Sequence, residues 1–167
     1  MILSREKVLL MLDRSNFEYR LYEHPPIFTV EDAEQHCSHV PGVHVKNLFL
    51  RNKKKTAYWL ATIKEDKRVD LLALGSMLNE GRLSFVNPND LVAMLGVQPG
   101  SVTPLAIIND HAKRVKLIFD NDLSSEKYIS IHPLENTATI SVKLCDLLRF
   151  IESNIQGEIK FMEIPTS

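Results

Sequence analysis

Apolar residues recur along this chain with two periods, and the switches between them mark its elements. Val8, Leu9, Met11 and Leu12 share one face of a 3.6-residue repeat behind Ser4, a plain N-cap, which predicts a helix over about residues 5–15. Arg20-Leu21-Tyr22-Glu23 alternates like a strand and stops at His24-Pro25-Pro26, where proline forbids a helix or a central strand. Thr29 is predicted to cap a second helix that reaches about His39. Pro41-Gly42 closes it before the strand Lys46-Asn47-Leu48-Phe49-Leu50, whose expected hairpin partner is Ala57 to Thr62 across a turn at Lys53-Lys54-Lys55.

Beyond the hairpin, Asp70 caps the apolar run Leu71, Leu72, Leu74, Met77 and Leu78, and Gly81 stops that helix before a strand from Arg82 to Val86. Asn87-Pro88 starts a further helix, because asparagine caps and proline fits the first helical position, and Leu95-Gly96 ends it. Strands are predicted at Leu105 to Ile108, Val115 to Asp120, Tyr128 to Ile131 and Thr137 to Ile140. A helix from about Val142 to Ser153 and a last strand at Ile159 to Met162 follow.

Strands and helices alternate irregularly, with no G-x-G-x-x-G or P-loop fingerprint and no repeat or low-complexity linker. The expectation is an α/β fold, a mixed sheet with flanking helices, in one domain over residues 1–167. A hydrophobic share of 44% and a charged share of 25% are ordinary globular values. The net charge of −1 supplies no global field for nucleic acid, so RNA contact requires a local basic patch. Two cysteines, Cys37 and Cys145, make no disulfide framework, the N-terminus carries no signal-peptide core, and no stretch suits a membrane span. A cytoplasmic protein without membrane contact is expected.

Candidate chemistry gathers in three places. The segment from Gly96 to Pro104 holds two glycines and two prolines in nine residues. Gly100 permits positive φ and close ligand approach, Pro104 forces Thr103 extended, and the backbone becomes a rigid wall of dipoles; the same composition also suits an ordinary connection. Lys46 stands at the start of an apolar strand, either aimed into a cleft or snorkelling at a sheet edge. Asn47 belongs to the opposite face in a regular strand, so the two share a site only at an irregular strand end. His132-Pro133 ends another strand, with the imidazole at its terminus, as a site residue or a structural histidine.

Other chemistries find less support. His36 and His39 with nearby His44 resemble a metal cluster only weakly, without a second ligand pair or H-E-x-x-H. Neither Ser84 nor Ser101 has a nucleophile-elbow context, and no carboxylate pair stands out. Neither a metal nor another cofactor is expected. Arg51, Lys53, Lys54 and Lys55 form one basic cluster and Lys64, Lys67 and Arg68 a second, suited to RNA phosphates or simply to solvent.

Lys46 to Arg51, Arg82-Leu83-Ser84-Phe85, Leu95 to Pro104, Asn109-Asp110 and His132-Pro133 with Asn136 to Thr139 together resemble the YbaK/ProX family of aminoacyl-tRNA editing domains. Order and spacing are most similar to its freestanding ProXp-ala branch. The resemblance implies a mostly antiparallel, barrel-like sheet and a deacylase acting in trans on mischarged tRNA. Its expected substrate is alanyl-tRNA with the proline anticodon, an error of prolyl-tRNA synthetase. The family's essential lysine maps onto Lys46, its G-x-x-x-P substrate loop onto Gly100, Ser101, Val102, Thr103 and Pro104, and its asparagine and histidine onto Asn47 and His132. Two departures stand out: the turn after the lysine strand reads Lys53-Lys54-Lys55 where relatives often have glycine, and Glu135 occupies an expected apolar position.

Overall fold

The helix starts are set by the side chains expected to set them. In the computed structural model, which describes residues 1–167, Ser4 accepts from the Lys7 amide at the head of α1 (Arg5–Arg14), and Asp70 accepts from Ala73 N at the head of α3 (Leu71–Met77). Thr29 and Asp32 exchange bonds in a full capping box before α2 (Val30–Cys37). Asn87 caps α4 (Pro88–Leu95), which ends on Gly96 in the left-handed conformation.

Eight strands form one mixed sheet: β1 (Tyr19–Glu23), β2 (Val43–Asn52), β3 (Tyr58–Lys64), β4 (Leu83–Phe85), β5 (Val115–Asp120), β6 (Tyr128–Ile131), β7 (Ala138–Lys143) and β8 (Lys160–Met162). Their order is β1-β7-β6-β2-β3-β5-β8, with β4 added to β2. Four pairings are antiparallel and three parallel, which is the mixed, mainly antiparallel sheet with flanking helices expected from the sequence. The path is open, with no ladder joining β1 to β8.

Alternation along the strands divides the interior. Ile129, Ile131, Ile140 and Val142 turn one face of β6 and β7 toward α1 (Val8, Leu12) and α5 (Leu144–Ile155), whose Leu147, Phe150 and Ile151 are buried. Each such side chain contributes about 1.5–3 kcal/mol on burial. β3 is buried on both faces: Tyr58 and Leu60 join that core, while Trp59, Ala61 and Ile63 pack with Leu74 of α3 in a second one.

The β2–β3 hairpin turns without glycine because Asn52 clamps it. Its buried carboxamide accepts from the Thr56 and Ala57 amides and donates to Thr56 Oγ1 and Glu80 Oε2, and Lys55 takes the positive φ of 56°. This accounts locally for the lysine turn that departs from the family pattern.

Three boundaries differ from the sequence reading. Leu105 to Ile108 is not a strand but part of a 3-10 helix, Pro104–Asn109. Proline at its start sets φ, and Leu105, Ala106 and Ile107 are buried with no strand alongside to pair with. The last helix begins at Leu144 rather than Val142, because Val142 and Lys143 are held in the ladder to Ile129 and Tyr128. β2 begins at Val43, three residues before Lys46, and this early start creates the site.

Lys67, with a side chain 9% exposed, pairs with the fully buried Asp120 and, at 3.1 Å, with Asp122. Lys67→Met leaves Asp120 charged and without a cation inside the protein, with only the Asp122 amide bonded to its Oδ1. It is expected to lower unfolding stability by about 3 kcal/mol in urea titration, and a loss below about 1 kcal/mol would contradict this assignment.

Candidate active site

β2 and β6 run parallel for only two residue pairs, Val43↔Ile129 and His44↔Ser130. The ladder starts beside Gly42, whose φ is +110° and where an added Cβ would lie 3.0 Å from the Tyr128 carbonyl carbon; only glycine permits so close an approach. Past His44 the pairing stops, and a cavity of about 260 Å³ lies in the fork. Val45, Lys46 and Asn47 border it on the β2 side, and Ser130, Ile131 and His132 on the other. Continuing the register sets Lys46 beside His132. Because the cavity meets β2 at its unpaired edge, residues of opposite pleat both reach it, which removes the conflict between Lys46 and Asn47.

The Gly100 loop enters this fork. Gln98-Pro99-Gly100-Ser101 is a β-turn with the Ser101 amide donating to Gln98 O at 3.0 Å; proline at its second position and positive φ (+86°) at its third fit a type II turn. Asn47 fixes the loop to the sheet: Nδ2 donates to Val102 O at 3.1 Å, while Oδ1 accepts from Thr62 at 2.7 Å. Both ends of its carboxamide are occupied, so Asn47 is placed to position the wall. A Cβ on Gly100 would lie 3.4 Å from Asn136 Nδ2, an ordinary contact. At its positive φ any substitution there carries backbone strain of about 1–2 kcal/mol.

The floor is a polar sheet face. Ser130, His132 and Thr139 alternate with the core isoleucines and line the cavity, while Ser141, next on the same face of β7, donates to Pro41 O outside it. His132 Nδ1 donates to Ala138 O at 2.8 Å, which leaves Nε2 as the acceptor in the neutral ring. His24 Nδ1 donates to Pro25 O and its Nε2 accepts from Thr139 Oγ1, both at 2.8 Å; Cys37 Sγ lies 3.8 Å from the same hydroxyl. The His24 and His132 rings are 6.1 Å apart. Burial pushes the His132 pKa below 6.5, opposed by its bond to Ala138 and reinforced by His24. Lys46 is the only lysine or arginine in the lining and joins no ion pair; Glu65 is the only carboxylate.

The family described as "Aminoacyl-tRNA editing domain" matches residues 24–150, which contain the whole fork. The chain belongs to that family. The editing domain is 30% identical over 151 residues to "Prolyl-tRNA editing protein ProX" of Acetoanaerobium sticklandii, covering 90% of this chain and 92% of the relative. It is 37% identical over 150 residues to "Prolyl-tRNA synthetase associated domain-containing protein 1" of Danio rerio, covering 89% and 81%. Its fold is shared with a solved structure described as "Crystal structure of a putative trans-editing enzyme for prolyl tRNA synthetase", with a TM-score of 0.73, 20% identity and 99% of each chain covered.

Of the residues singled out from sequence, Lys46, Asn47, Gly100, Val102 and His132 meet in the cavity of this editing domain. Ser101 instead lines a separate depression with Arg5 and Asn136, and Thr103 and Pro104 are buried beneath the loop. Arg51 is half-buried and donates to Asn52 O, and Lys53, Lys54 and Lys55 stand at the far end of β2. Asn109 and Asp110 hold structure: Asn109 bonds Leu3 N and Leu95 O, and Asp110 accepts from Val115 N. In the second basic cluster Lys64 is paired with Glu126 and Lys67 with two aspartates.

His39 packs edge-on against Tyr22, and His44 bonds Val40 O and lies 3.4 Å from Ser130. Sequence reasoning passed over His24, Cys37, Glu65 and Thr139 as site residues, although Thr139-Ile140-Ser141-Val142 carries the alternation that marks a polar sheet face.

The folded protein holds His132 neutral where the unfolded chain protonates it near pH 6.5. Its contribution to stability is full above that pH and is lost as pH falls from 6.5 through the depressed folded value. His132→Gln is expected to flatten the decline of the melting temperature over that window; an unchanged profile would remove His132 as its source.

Proposed function

We propose that this editing domain hydrolyses the ester of alanyl-tRNA bearing the proline anticodon, clearing errors made by prolyl-tRNA synthetase. The observation that carries the reading is the fork, where an unpaired lysine, a neutral histidine and a turn of unengaged amides surround one small cavity. Among the backbone amides from Gly100 to Thr103, only that of Ser101 donates to a backbone carbonyl. Those of Gly100 and Val102, the two loop residues that line the cavity, are available to a substrate carbonyl or a water without reorganisation.

In this reading Lys46 neutralises negative charge, either on the carbonyl oxygen during attack or on the phosphate of the terminal nucleotide. Water adds to the ester carbon, the bond from that carbon to the ribose oxygen breaks, and the ribose oxygen leaves with a proton. The vicinal ribose hydroxyl assists the proton transfer, so no acyl-enzyme is needed. His132 orients the terminal adenosine through Nε2, Glu65 at the rim meets the substrate's α-ammonium, and Asn47 keeps the Gly100 turn in place. Gly100 and Val102 form the contact wall.

Alanine is the expected substrate on the logic of sorting by size. A proline-activating pocket gains only about 1–3 kcal/mol against a substrate lacking a methylene, so some alanine is charged in error. A second site that admits alanine and excludes the larger ring sorts by size. The names of the relatives associate them with prolyl-tRNA and its synthetase, which supports proline tRNA as the carrier.

Purified protein is to be assayed against alanyl, seryl, cysteinyl and prolyl esters of tRNA with the proline anticodon. Release of alanine is expected to be fastest and to survive exhaustive chelation. Retained binding without release would make the chain a noncatalytic tRNA-end module, and fastest release of another amino acid would reassign the substrate. Lys46→Ala is expected to lower kcat/KM at least about 100-fold at an unchanged melting temperature. Full turnover in that variant would remove Lys46 from the chemistry.

A further inference from the structure

The end of the sheet away from the cavity collects cations from four neighbouring strands. Lys53, Lys54 and Lys55 close the β2–β3 hairpin. β4 joins β2 through Asn52↔Leu83, which brings Arg82 beside the same turn. On the other flank β5 begins opposite Tyr58 at Val115, so Lys113 and Arg114 arrive at the turn and Lys116 stands across from Trp59. All of these basic residues are exposed and none joins an ion pair. In a chain of net charge −1 this is a local excess of unpaired cations, whereas Lys64 and Lys67 are neutralised by partners.

Two aromatic rings steady the flank. The Arg114 guanidinium lies 4.8 Å from the centre of the Tyr58 ring and the Lys116 ammonium 4.7 Å from that of Trp59. Held there, the side chains lose less freedom on binding than free surface lysines. Lys113, Lys116 and Trp59 also line a groove of about 690 Å³, and the Trp59 Nε1 donor is buried without an acceptor. Of the acids here, Glu80 accepts from Asn52 and Asp110 from Val115 N, while the exposed Glu158 also lines the groove and leaves the lysines in excess. Phe85, at the end of β4 away from Arg82, is the one large exposed apolar side chain on these four strands, so the surface lacks the broad apolar centre of a protein interface.

We propose that this surface binds the phosphate backbone of the RNA duplex whose aminoacylated 3′ end enters the fork. The proposal rests on the editing reading and extends it to the body of the substrate. Lys46 and Lys53 are seven residues apart along β2, about 23 Å at 3.3 Å per residue. A single-stranded 3′ tail of about four nucleotides covers roughly 14 Å when stacked at 3.4 Å each, and more when splayed, so duplex phosphates begin at the distance of the patch. Four strands at about 4.8 Å spacing give it a width of roughly 14 Å, enough for several phosphates.

The test is the salt dependence of binding of uncharged tRNA with the proline anticodon, comparing the unmodified chain with Lys54→Gln/Lys113→Gln/Lys116→Gln. Each phosphate contact contributes about 0.9 to the slope of log affinity against log salt. The variant is expected to lose about 2–3 in slope and at least roughly tenfold in affinity at low salt. A short single strand with the same 3′ end is expected to show one slope for both proteins.

An unchanged slope with tRNA overturns the proposal, and an acidic protein surface then becomes the candidate occupant. An equal loss with the single strand also overturns it, because the patch would not be reading the duplex. Hydrolysis is not needed for this readout, so a chain that binds tRNA through the patch without cleaving alanyl ester refutes the catalytic reading alone.

Discussion

A parallel pair of strands that stops after two residue pairs leaves each with an open edge, and at the β2–β6 fork a turn is tethered beside that edge by a side chain. Gly42 lets the pair begin, His44↔Ser130 is its last rung, and the Gly100 turn is tied in by the bond from Asn47 to the Val102 carbonyl. The site depends on this arrangement. Backbone polar groups seldom remain unpaired when buried, so a gap between strands persists only where side chains, a loop or a ligand supply partners. The fork therefore produces a polar cavity inside an otherwise apolar sheet.

Charge is distributed to match. At the cavity end, Lys64 and Lys67 are committed to carboxylates, and Lys46 is left as the basic side chain in the lining without an ion-pair partner. His132 is kept neutral by burial, with its Nδ1 proton fixed by Ala138 and its other nitrogen free. Fixed dipoles beside one unpaired ammonium favour a reaction in which negative charge grows on an oxygen, because little needs to reorganise as it grows. An activated ester needs little more than orientation and such stabilisation.

Much of the framework was legible along the chain because it is governed locally. Ser4, Thr29, Asp70 and Asn87 announce their helices through single side-chain bonds, and Gly96 announces an end. The Leu105 to Ile108 segment misled because a short, fully apolar run has no period to read, and its helical turn follows from Pro104 and burial on every side. In the site, Lys46, Gly100 and His132 stand out through residue type and position. Their meeting does not, since it depends on a long-range register between β2 and β6. Thr139 and Ser130 were visible as polar positions in buried strands, but only the pairing shows which face they share. Asn47 reads as chemistry in sequence and as a positioning residue in space, because its two partners come from distant segments.

The central claim is that the aminoacyl group sits in the fork between Lys46 and His132 against the Gly100 turn. A nonhydrolysable amide analogue of 3′-alanyl-adenosine, titrated into isotopically labelled protein and followed by NMR, addresses it without depending on turnover. The expected result is saturable shifts at Val45 to Asn47, Gly100 to Val102 and His132, reduced in Lys46→Ala. Saturable shifts confined to other surfaces, with the fork unmoved, would contradict the account.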